Sequence, residues 1–129
     1  MVRAVMMAMT ASDSIRKMAH TVSNDIMLAV TGKSGAFTSK IAFVSDKTGR
    51  KEIYVMDYDG FNPIKVTSRF SHAMAPAWSP DGKEIVFTAV TKNSKNVRNH
   101  NLFVYHLPTG KIDMLSNRQG INSGAVFSP

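Results

Sequence analysis

Four histidines are the residues in this chain best suited to acid–base chemistry, because an imidazole changes its charge near neutral pH. They are His20, His72, His100 and His106. None has a carboxylate partner that spacing alone identifies, and no serine lies in a Gly-x-Ser-x-Gly elbow. His20 falls on a predicted helix, where we interpret it as a polar residue beside the packed face rather than as a ligand or a base. The sequence therefore predicts no catalytic site and no enzyme.

Two aspartates and a glycine, Asp57, Asp59 and Gly60, stand close enough together to suggest a calcium loop. The EF-hand pattern needs a glutamate at its twelfth position, and counted from Asp57 that position is Ser68. A tight turn explains the same residues, since aspartate and glycine are favoured in turns. The sequence contains no cysteine, which excludes thiolate metal sites and disulfides. We expect no metal site and no cofactor.

The chain is basic, with 16 Lys and Arg residues against 9 Asp and Glu and a formal net charge of +7. Such a balance can favour anionic partners. The basic residues are nevertheless scattered, without a run of five like charges. We therefore expect a solvated basic surface rather than a nucleic-acid interface, which needs a basic stripe with reading elements.

No apolar stretch of the sequence reaches the length of a membrane span, so direct membrane insertion is not expected. The first residues, Met1–Met9, place Arg3 before a short apolar run and superficially resemble a signal peptide. That run is shorter than the apolar region of a usual signal peptide. We interpret Met1–Met9 as a buried strand or as an artificial start of the sequence.

Short apolar segments separated by turn residues occur twice along the chain. The equivalent segments lie 44 or 49 residues apart. The longer distance comes from a polar stretch, Thr91–Asn101, which we interpret as a mobile solvated loop. A four-strand unit that repeats about every 40 to 50 residues is typical of the blades of a β-propeller; the alternative is an ordinary antiparallel sandwich. Three segments recur 44 or 49 residues later: Ile41–Val44 as Ile85–Thr88, Ile53–Met56 as Leu102–Tyr105, and Ala77–Pro80 as Val126–Pro129.

An amphipathic helix is predicted ahead of the repeats. Ser12 or Asp13 can cap its start, and Gly32 suits the left-handed position that follows its last residue, Thr31. An apolar face of this length must pack against another element. The apolar residues fall on one face of the helix: Ile15, Met18, Ala19, Val22, Ile26 and Val30.

Together these patterns predict a mainly β protein, in which one α-helix precedes a partial β-propeller. We assign residues 1–37 to the C-terminal remnant of an α/β domain, with the helix and a glycine-containing joint, and residues 38–129 to the first propeller blades. A closed propeller needs at least four blades, so a chain of 129 residues is expected to be a fragment. The edge at Ile41–Val44 then lacks its inner strand, and such an edge favours self-association.

The order of helix, joint and repeat is more specific than the repeat alone. In this order the chain resembles the TolB family, the periplasmic propeller proteins of the Tol-Pal system. The resemblance covers about residues 12–129. The segments that carry it are Arg16–His20, Ser23–Ile26, Thr31–Gly32, Gly35, Phe37, Ile41–Val44, Ile53–Gly60 and Pro76–Gly82.

The resemblance implies an α/β domain followed by a six-bladed propeller in the periplasm. It implies a non-catalytic scaffold that binds the Pal lipoprotein and other Tol-Pal components, maintains outer-membrane integrity and supports cell division. In this family Pal binds at one mouth of the propeller, and the loops before the inner strands lie near that mouth. The candidate partner-binding residues there are His72, Ala73, Met74, Ile121, Asn122 and Ser123.

Two other interpretations remain open at this point. The repeats also look like the propeller of prolyl-oligopeptidase-like serine hydrolases, which would require a hydrolase domain with a nucleophile elbow further along the chain. The sequence could instead be the non-functional product of a truncated or split gene that keeps the sequence of a scaffold.

Overall fold

A computed structural model describes residues 2–129, with side chains described from residue 12 onward. Within these residues the chain forms one helix followed by seven strands. It divides into two compact units. The first comprises the residues up to Ile41 together with Asp57–Phe61, and the second comprises Ala42–Met56 together with Asn62–Pro129.

Helix α1 runs from Val2 to Thr31. The prediction that Ser12 or Asp13 begins it is wrong, because the alanines and methionines that precede them are good helix formers and continue the helix. The interpretation of Met1–Met9 as a strand is also wrong for every residue except Met1, which lies outside the described residues.

The predicted C-terminal end of α1 is confirmed. The helix ends at Thr31, and Gly32 follows with a φ of 71°. The Gly32 N–H donates to the carbonyl of Leu28 at 2.9 Å, which closes the last turn. Since a side chain is strained at this φ, glycine is the residue that lets the chain leave the helix here.

The apolar stripe of α1 is exposed in this structure. The face of α1 that contacts other residues of the first unit is formed by residues spaced four apart: Arg16, His20 and Asn24. The packed face of the described helix is therefore the polar one, contrary to the prediction. The exposed stripe consists of Ile15, Met18, Val22, Ile26 and Val30.

The first sheet has three strands in sequential order. They are β1 (Lys40–Ser45), β2 (Glu52–Asp57) and β3 (Ile64–Lys65). β3 pairs antiparallel with β2, and β1 has one neighbour, so its other side is an edge. A turn with Gly49 at a φ of 83° connects β1 to β2.

The second sheet has four strands, also in sequential order, and every neighbouring pair is antiparallel. Its strands are β4 (His72–Trp78), β5 (Glu84–Lys92), β6 (Arg98–His106) and β7 (Lys111–Ser116). β5 and β6 are the central strands, and β5 is the more completely buried of the two. This sheet is one complete propeller blade in strand number.

The prediction of a mobile loop over Thr91–Asn101 is wrong, because β5 and β6 continue through most of it as a hairpin. Only residues 93–97 form the tip. There the Asn93 side-chain oxygen accepts hydrogen bonds from the N–H groups of Lys95 and Val97, at 3.0 and 2.9 Å. The polar composition reflects an exposed tip held by its own asparagine.

The core of the second unit combines residues from both sheets. Phe87 lies at its centre, with its ring centroid 5.6 Å from that of Phe70 and 5.8 Å from that of Phe103. Aromatic contacts at these separations add to the stabilisation from burial. The buried cluster consists of Ile53, Phe70, Ala73, Phe87, Ala89 and Phe103.

The predicted repeat recurs as an aromatic pair in each sheet. Phe43 stacks on Tyr54 with 5.6 Å between ring centroids and 22° between ring planes. Phe87 stacks on Phe103 with 5.8 Å and 20°. The second pair lies 44 and 49 residues after the first, so the two sheets present equivalent positions with the same geometry.

A backbone hydrogen bond formed where the chain leaves each sheet is repeated as well. The Ala73 N–H donates to the carbonyl of Lys51 at 2.7 Å, and 49 residues later the Asn122 N–H donates to the carbonyl of His100 at 3.0 Å. Ala73 is the second residue of β4, and the chain continues from it along this strand. After Asn122, residues 123–129 have no assigned strand, so the predicted strand at Val126–Pro129 is not formed in this structure.

Candidate protein-interaction site

The candidate contacts predicted from the sequence all lie at one end of the second sheet. Because its neighbouring strands are antiparallel, β4 and β6 begin at the same end at which β5 and β7 finish. We call this the loop end. It comprises the start of β4 at His72, the end of β5 and the start of β6 at residues 90–101 with the hairpin tip between them, and residues 116–123.

Three residues of the loop end lie in one row across the sheet. His72 is opposite Val90, Val90 is opposite His100, and His100 forms a parallel bridge with Ile121. Directly opposite residues point to the same face, and each strand adds about 5 Å. His72, His100 and Ile121 therefore share one face, from which Ile121 extends with 78% of its surface exposed.

Asn122 fixes the segment that carries Ile121. Its side-chain N–H₂ donates to the carbonyls of His100 at 2.8 Å and Arg118 at 2.6 Å, and its side-chain oxygen accepts from Ser116 at 2.9 Å. These bonds occupy the donors and the acceptor of the amide. Asn122 therefore positions this segment, and its role as a direct partner contact stays a prediction.

Two further asparagines, both on β6, form side-chain hydrogen bonds that connect β6 to its neighbours at the loop end. Asn99 donates to the carbonyl of Arg118 at 3.0 Å and accepts from the N–H of Gly120 at 3.0 Å. Asn101 donates to the hydroxyl of Thr91 at 2.8 Å. Sequence reasoning missed both residues, although their alternate spacing on a strand places them on one face.

The structure changes the role of part of the predicted set. His72, Ala73 and Met74 lie within β4 and not in the loop before it. Ala73 is fully buried in the core, so its side chain is not available to a partner. His72 and Met74 are half-buried, and the Nδ1 atom of His72 accepts a hydrogen bond from the N–H of Lys51 at 3.3 Å. Ser123 is exposed.

The charge of the loop end is positive. Lys92, Lys95, Arg98 and Arg118 lie on it, and Asp113 is the only acidic residue between Thr91 and the last residue of the sequence. A cleft of about 590 Å³ opens beside the hairpin tip, lined by both of these lysines and by Asn99 and Asn101. Surfaces of one sign steer and orient partners of the opposite sign, so this end suits an acidic partner.

A second group of polar residues lies in the first unit, around Arg16. The guanidinium donates to both carboxylate oxygens of Asp59, at 2.9 and 3.0 Å, and to Asp57 at 3.3 Å. It also lies 3.8 Å above the ring of Phe61. His20 approaches the same carboxylate, with its Nε2 atom 3.3 Å from Asp59. These contacts explain the polar face of α1 as a structural ion-pair cluster.

The predicted turn at Asp57, Asp59 and Gly60 is confirmed. Gly60 has a φ of 82°, and its N–H donates to the carbonyl of Asp57 at 2.9 Å. Both carboxylates are taken by cations of the protein, Asp57 by Lys40 at 2.7 Å and Asp59 by Arg16. The part of the chain that was described contains no cluster of three His, Asp or Glu side chains able to hold a metal ion.

We expect the carboxyl of Asp57 to titrate at unusually low pH. The hydrogen bond from Lys40 and the charges of Lys40 and Arg16 hold the pKa of Asp57 below its ordinary value, against the opposing effect of partial burial. A lowered folded-state pKa stabilises the fold above the unfolded-state pKa, and this stabilisation is lost as the pH falls through the folded-state pKa. Replacing Lys40 by methionine should raise the pKa of Asp57, measured by carboxyl-carbon NMR titration.

The matched control for that titration is Lys33→Met, which removes a lysine that does not pair with Asp57. An Asp57 titration that shifts equally in both variants would mean that net charge, and not the Lys40 contact, sets the pKa.

Among the described residues, the structure contains no helix whose length and apolar character would let it span a lipid bilayer.

Comparison with known proteins shows which family the chain resembles. Residues 28–129 match the family described as the TolB beta propeller domain. The Tol-Pal system protein TolB of Geobacter metallireducens is 54% identical over 71 residues, which cover 55% of this chain and 17% of the relative. That of Desulfosudis oleivorans is 35% identical over 114 residues, 88% of this chain and 25% of the relative. The chain thus spans a quarter or less of the length of these curated relatives.

A solved structure supports the fold. The crystal structure of TolB from Acinetobacter baumannii superposes with a TM-score of 0.51 at 23% identity, over 88% of this chain and 39% of that one. The prediction of a mainly β, partial propeller preceded by a helix is confirmed. The family match over residues 28–129 favours the first of the three interpretations of the sequence over a hydrolase propeller.

Proposed function

Because the chain belongs to the TolB β-propeller family, we propose that it acts as a non-catalytic periplasmic scaffold of the Tol-Pal system. In this role it binds protein partners, maintains outer-membrane integrity and supports cell division. Residues 1–37 are then the last part of an α/β domain, and residues 38–129 are the first propeller blades. The relatives named as Tol-Pal system proteins support this assignment at the level of the system.

The observation that carries the proposal is the construction of the loop end. An exposed isoleucine, Ile121, stands on a segment that Asn122 and Asn99 hold through four side-chain hydrogen bonds to backbone groups of that segment and of β6. A rigid apolar side chain inside a polar, charged rim is the arrangement that protein interfaces use for their central contacts. Holding it in place before binding reduces the entropy lost on association.

The partner we propose for this surface is the Pal lipoprotein. His72, Met74, Ile121 and Ser123 supply the contacts, and Asn122 positions them. The four basic residues of the loop end, Lys92, Lys95, Arg98 and Arg118, require acidic residues on the partner at the rim. Rim charges act mainly on the association rate, so binding should weaken as salt is added.

The test is calorimetric titration of soluble Pal into the 129-residue chain. Replacing Ile121 by alanine should weaken binding by roughly tenfold or more, which corresponds to the loss of one central contact. Ile64→Ala is the matched control, because Ile64 is also an exposed isoleucine but lies on β3 of the first sheet. The control should bind Pal as the parent chain does.

Three results would overturn the proposal. The first is saturable Pal binding that Ile121→Ala leaves unchanged, which would place the contact elsewhere on the chain. The second is an absence of binding by a chain whose circular dichroism and monomeric mass show it to be folded. The third is an equal loss of binding in the Ile121 and Ile64 variants, which would indicate a general loss of folding and would remove the support for the loop end.

A further inference from the structure

The cleft beside the hairpin tip has a polar floor built on β5 and β6. Its volume is about 590 Å³, and its floor consists of Thr91, Asn99 and Asn101. Asn101 is 5% exposed, and its side-chain N–H₂ donates to the Thr91 hydroxyl at 2.8 Å. Asn99 donates in turn to the side-chain oxygen of Asn101. These bonds hold the floor in place before a ligand binds, which reduces the entropy lost on binding.

The floor keeps two hydrogen-bond donors that have no acceptor among the described residues. The Thr91 hydroxyl accepts the bond from Asn101, so its own proton is available. Asn101 uses one of its two amide N–H groups in the same bond, so the other N–H is available as well. Because polar groups in protein interiors are normally paired, this floor suits a ligand that supplies oxygen acceptors.

The rim of the cleft is positive. Lys92 and Lys95 line it together with neutral side chains, and the lining contains no carboxylate. Neither lysine forms an ion pair with an acidic residue in the part of the chain that the structure describes. Two ammonium groups beside unused hydrogen-bond donors favour an anionic ligand over a neutral one.

The first sheet shows what occupies the equivalent position when the chain supplies its own anion. Glu52 is the equivalent of Asn101, and Lys65 is the equivalent of Met114, each 49 residues earlier. The strand registers agree, because Lys65 and Met114 stand opposite equivalent residues of the neighbouring strand. Glu52 is 1% exposed, and its carboxylate accepts the Thr48 hydroxyl at 2.8 Å and lies 3.4 Å from the Lys65 ammonium. The first sheet therefore fills this position with an internal carboxylate.

The second sheet has the same position without the carboxylate. Asn101 is neutral where Glu52 is acidic, so a threonine hydroxyl of the hairpin donates in the first sheet and accepts in the second. Met114 stands in place of the lysine and lines the open cleft, with 51% of its surface exposed. We propose that this cleft binds a carboxylate side chain of an acidic peptide segment, which supplies the group that Glu52 provides in the first sheet.

The size and the apolar parts of the cleft favour a peptide over a simple anion. A volume of about 590 Å³ lies in the range of sites that hold organic ligands. Val97 and Met114 line the cleft and are 56% and 51% exposed, so an apolar side chain beside the carboxylate can pack against them. In the complex Thr91 and Asn101 donate to the carboxylate, and the two lysines of the rim balance its charge.

The cleft floor and the proposed Pal contact lie on opposite faces of the second sheet. His100 and Asn101 are consecutive on β6, so their side chains point to opposite faces. Ile121 shares the face of His100. Asn101 shares the face of Phe103, which packs with Ile53 of the first sheet. A peptide in the cleft therefore leaves the Ile121 face accessible, and neither site requires the other.

The test is a fluorescence-polarisation titration of the 129-residue chain against a fluorescein-labelled peptide, Gly-Asp-Leu-Asp-Asp-Leu-Gly. Saturable binding is expected, and the same peptide with lysine in place of aspartate should not bind. Lys95→Gln should weaken binding by about tenfold, because one charged contact is lost. Lys111→Gln is the matched control, since Lys111 is an exposed lysine at the opposite end of the same sheet, and it should bind as the parent chain does.

A second variant removes the difference between the two sheets. Asn101→Asp places a carboxylate where the first sheet has Glu52, and repulsion should weaken peptide binding by about tenfold or more. The fold should be kept, because the Thr91 hydroxyl can donate to an aspartate as Thr48 donates to Glu52. Circular dichroism checks the fold. Ile121→Ala, on the opposite face, should leave peptide binding unchanged.

Any of four results would exclude the proposed site. They are an acidic peptide that does not bind saturably, a lysine peptide that binds equally well, equal losses in the Lys95 and Lys111 variants, and a folded Asn101→Asp variant that binds as the parent chain does. Inorganic phosphate is the competing ligand. If it displaces the labelled peptide at the same concentration as unlabelled peptide does, the cleft is a site for any small anion and the assignment to a peptide is wrong.

Discussion

Replacing Phe87 by alanine is expected to lower the free energy of unfolding by about 3–5 kcal/mol. Phe87 is 1% exposed and contacts the rings of Phe70 and Phe103 at the centre of the second unit. Removing its ring takes away apolar burial and leaves a cavity that the paired strands of the sheet cannot close. Because small domains are only marginally stable, the variant should be largely unfolded at moderate denaturant concentrations.

Urea unfolding followed by circular dichroism measures this effect, with Phe61→Ala as the control. Phe61 is half exposed and its described ring contact is with Arg16, so its loss should cost about 1 kcal/mol at most. A Phe87 variant that is destabilised no more than the Phe61 variant would contradict the assignment of the core.

Replacing Thr67 by valine is expected to cost about 1–3 kcal/mol, although the two side chains have nearly the same shape. Thr67 is fully buried, and its hydroxyl oxygen accepts the N–H of Ile53 at 2.9 Å. β3 ends at Lys65, so this hydroxyl replaces the next bond of the strand ladder. Valine would leave a buried backbone N–H without an acceptor, which is the costly way to lose a hydrogen bond.

Thr67→Ser is the matched variant, since it keeps the hydroxyl and loses a methyl group. The repeat supports its compatibility, because Ser116 stands 49 residues after Thr67 at the end of β7. The serine variant should be more stable than the valine variant, and hydrogen exchange at the Ile53 amide should accelerate only in the latter. The reverse order of stabilities would show that methyl packing, and not the hydrogen bond, is what Thr67 provides.

Strands β1, β2, β5 and β6 could be predicted from the sequence because each is marked twice. Apolar residues with β propensity define the segment, and an equivalent segment recurs 44 or 49 residues away with turn residues between. The start of α1 could not be predicted in the same way. A serine and an aspartate favour the first residue of a helix, but they do not end a helix that already runs through alanines and methionines.

The features of the candidate site that the sequence could not predict were missed for a different reason. His72 and Ile121 were found because the sequence predicted that they lie in loops before inner strands, but their relation to His100 depends on strand register across the whole sheet. Polar composition indicates solvent contact without indicating order, so Thr91–Asn101 read as mobile although it forms a paired hairpin. Likewise, Asn122 carries no local sign that its amide is used by backbone carbonyls of β6 and the preceding loop.

The β5–β6 hairpin also determines where the protein can accept foreign sequence. The two repeat distances, 44 and 49 residues, differ because this hairpin is longer than its counterpart between β1 and β2, and yet the Phe87–Phe103 pair keeps the geometry of Phe43–Tyr54. The geometry of these aromatic pairs near the base of each hairpin is thus unaffected by the length of the hairpin tip. The tip at 93–97 is accordingly a natural splice point for an epitope tag or a reporter domain, which would report on the loop end without displacing a single core residue.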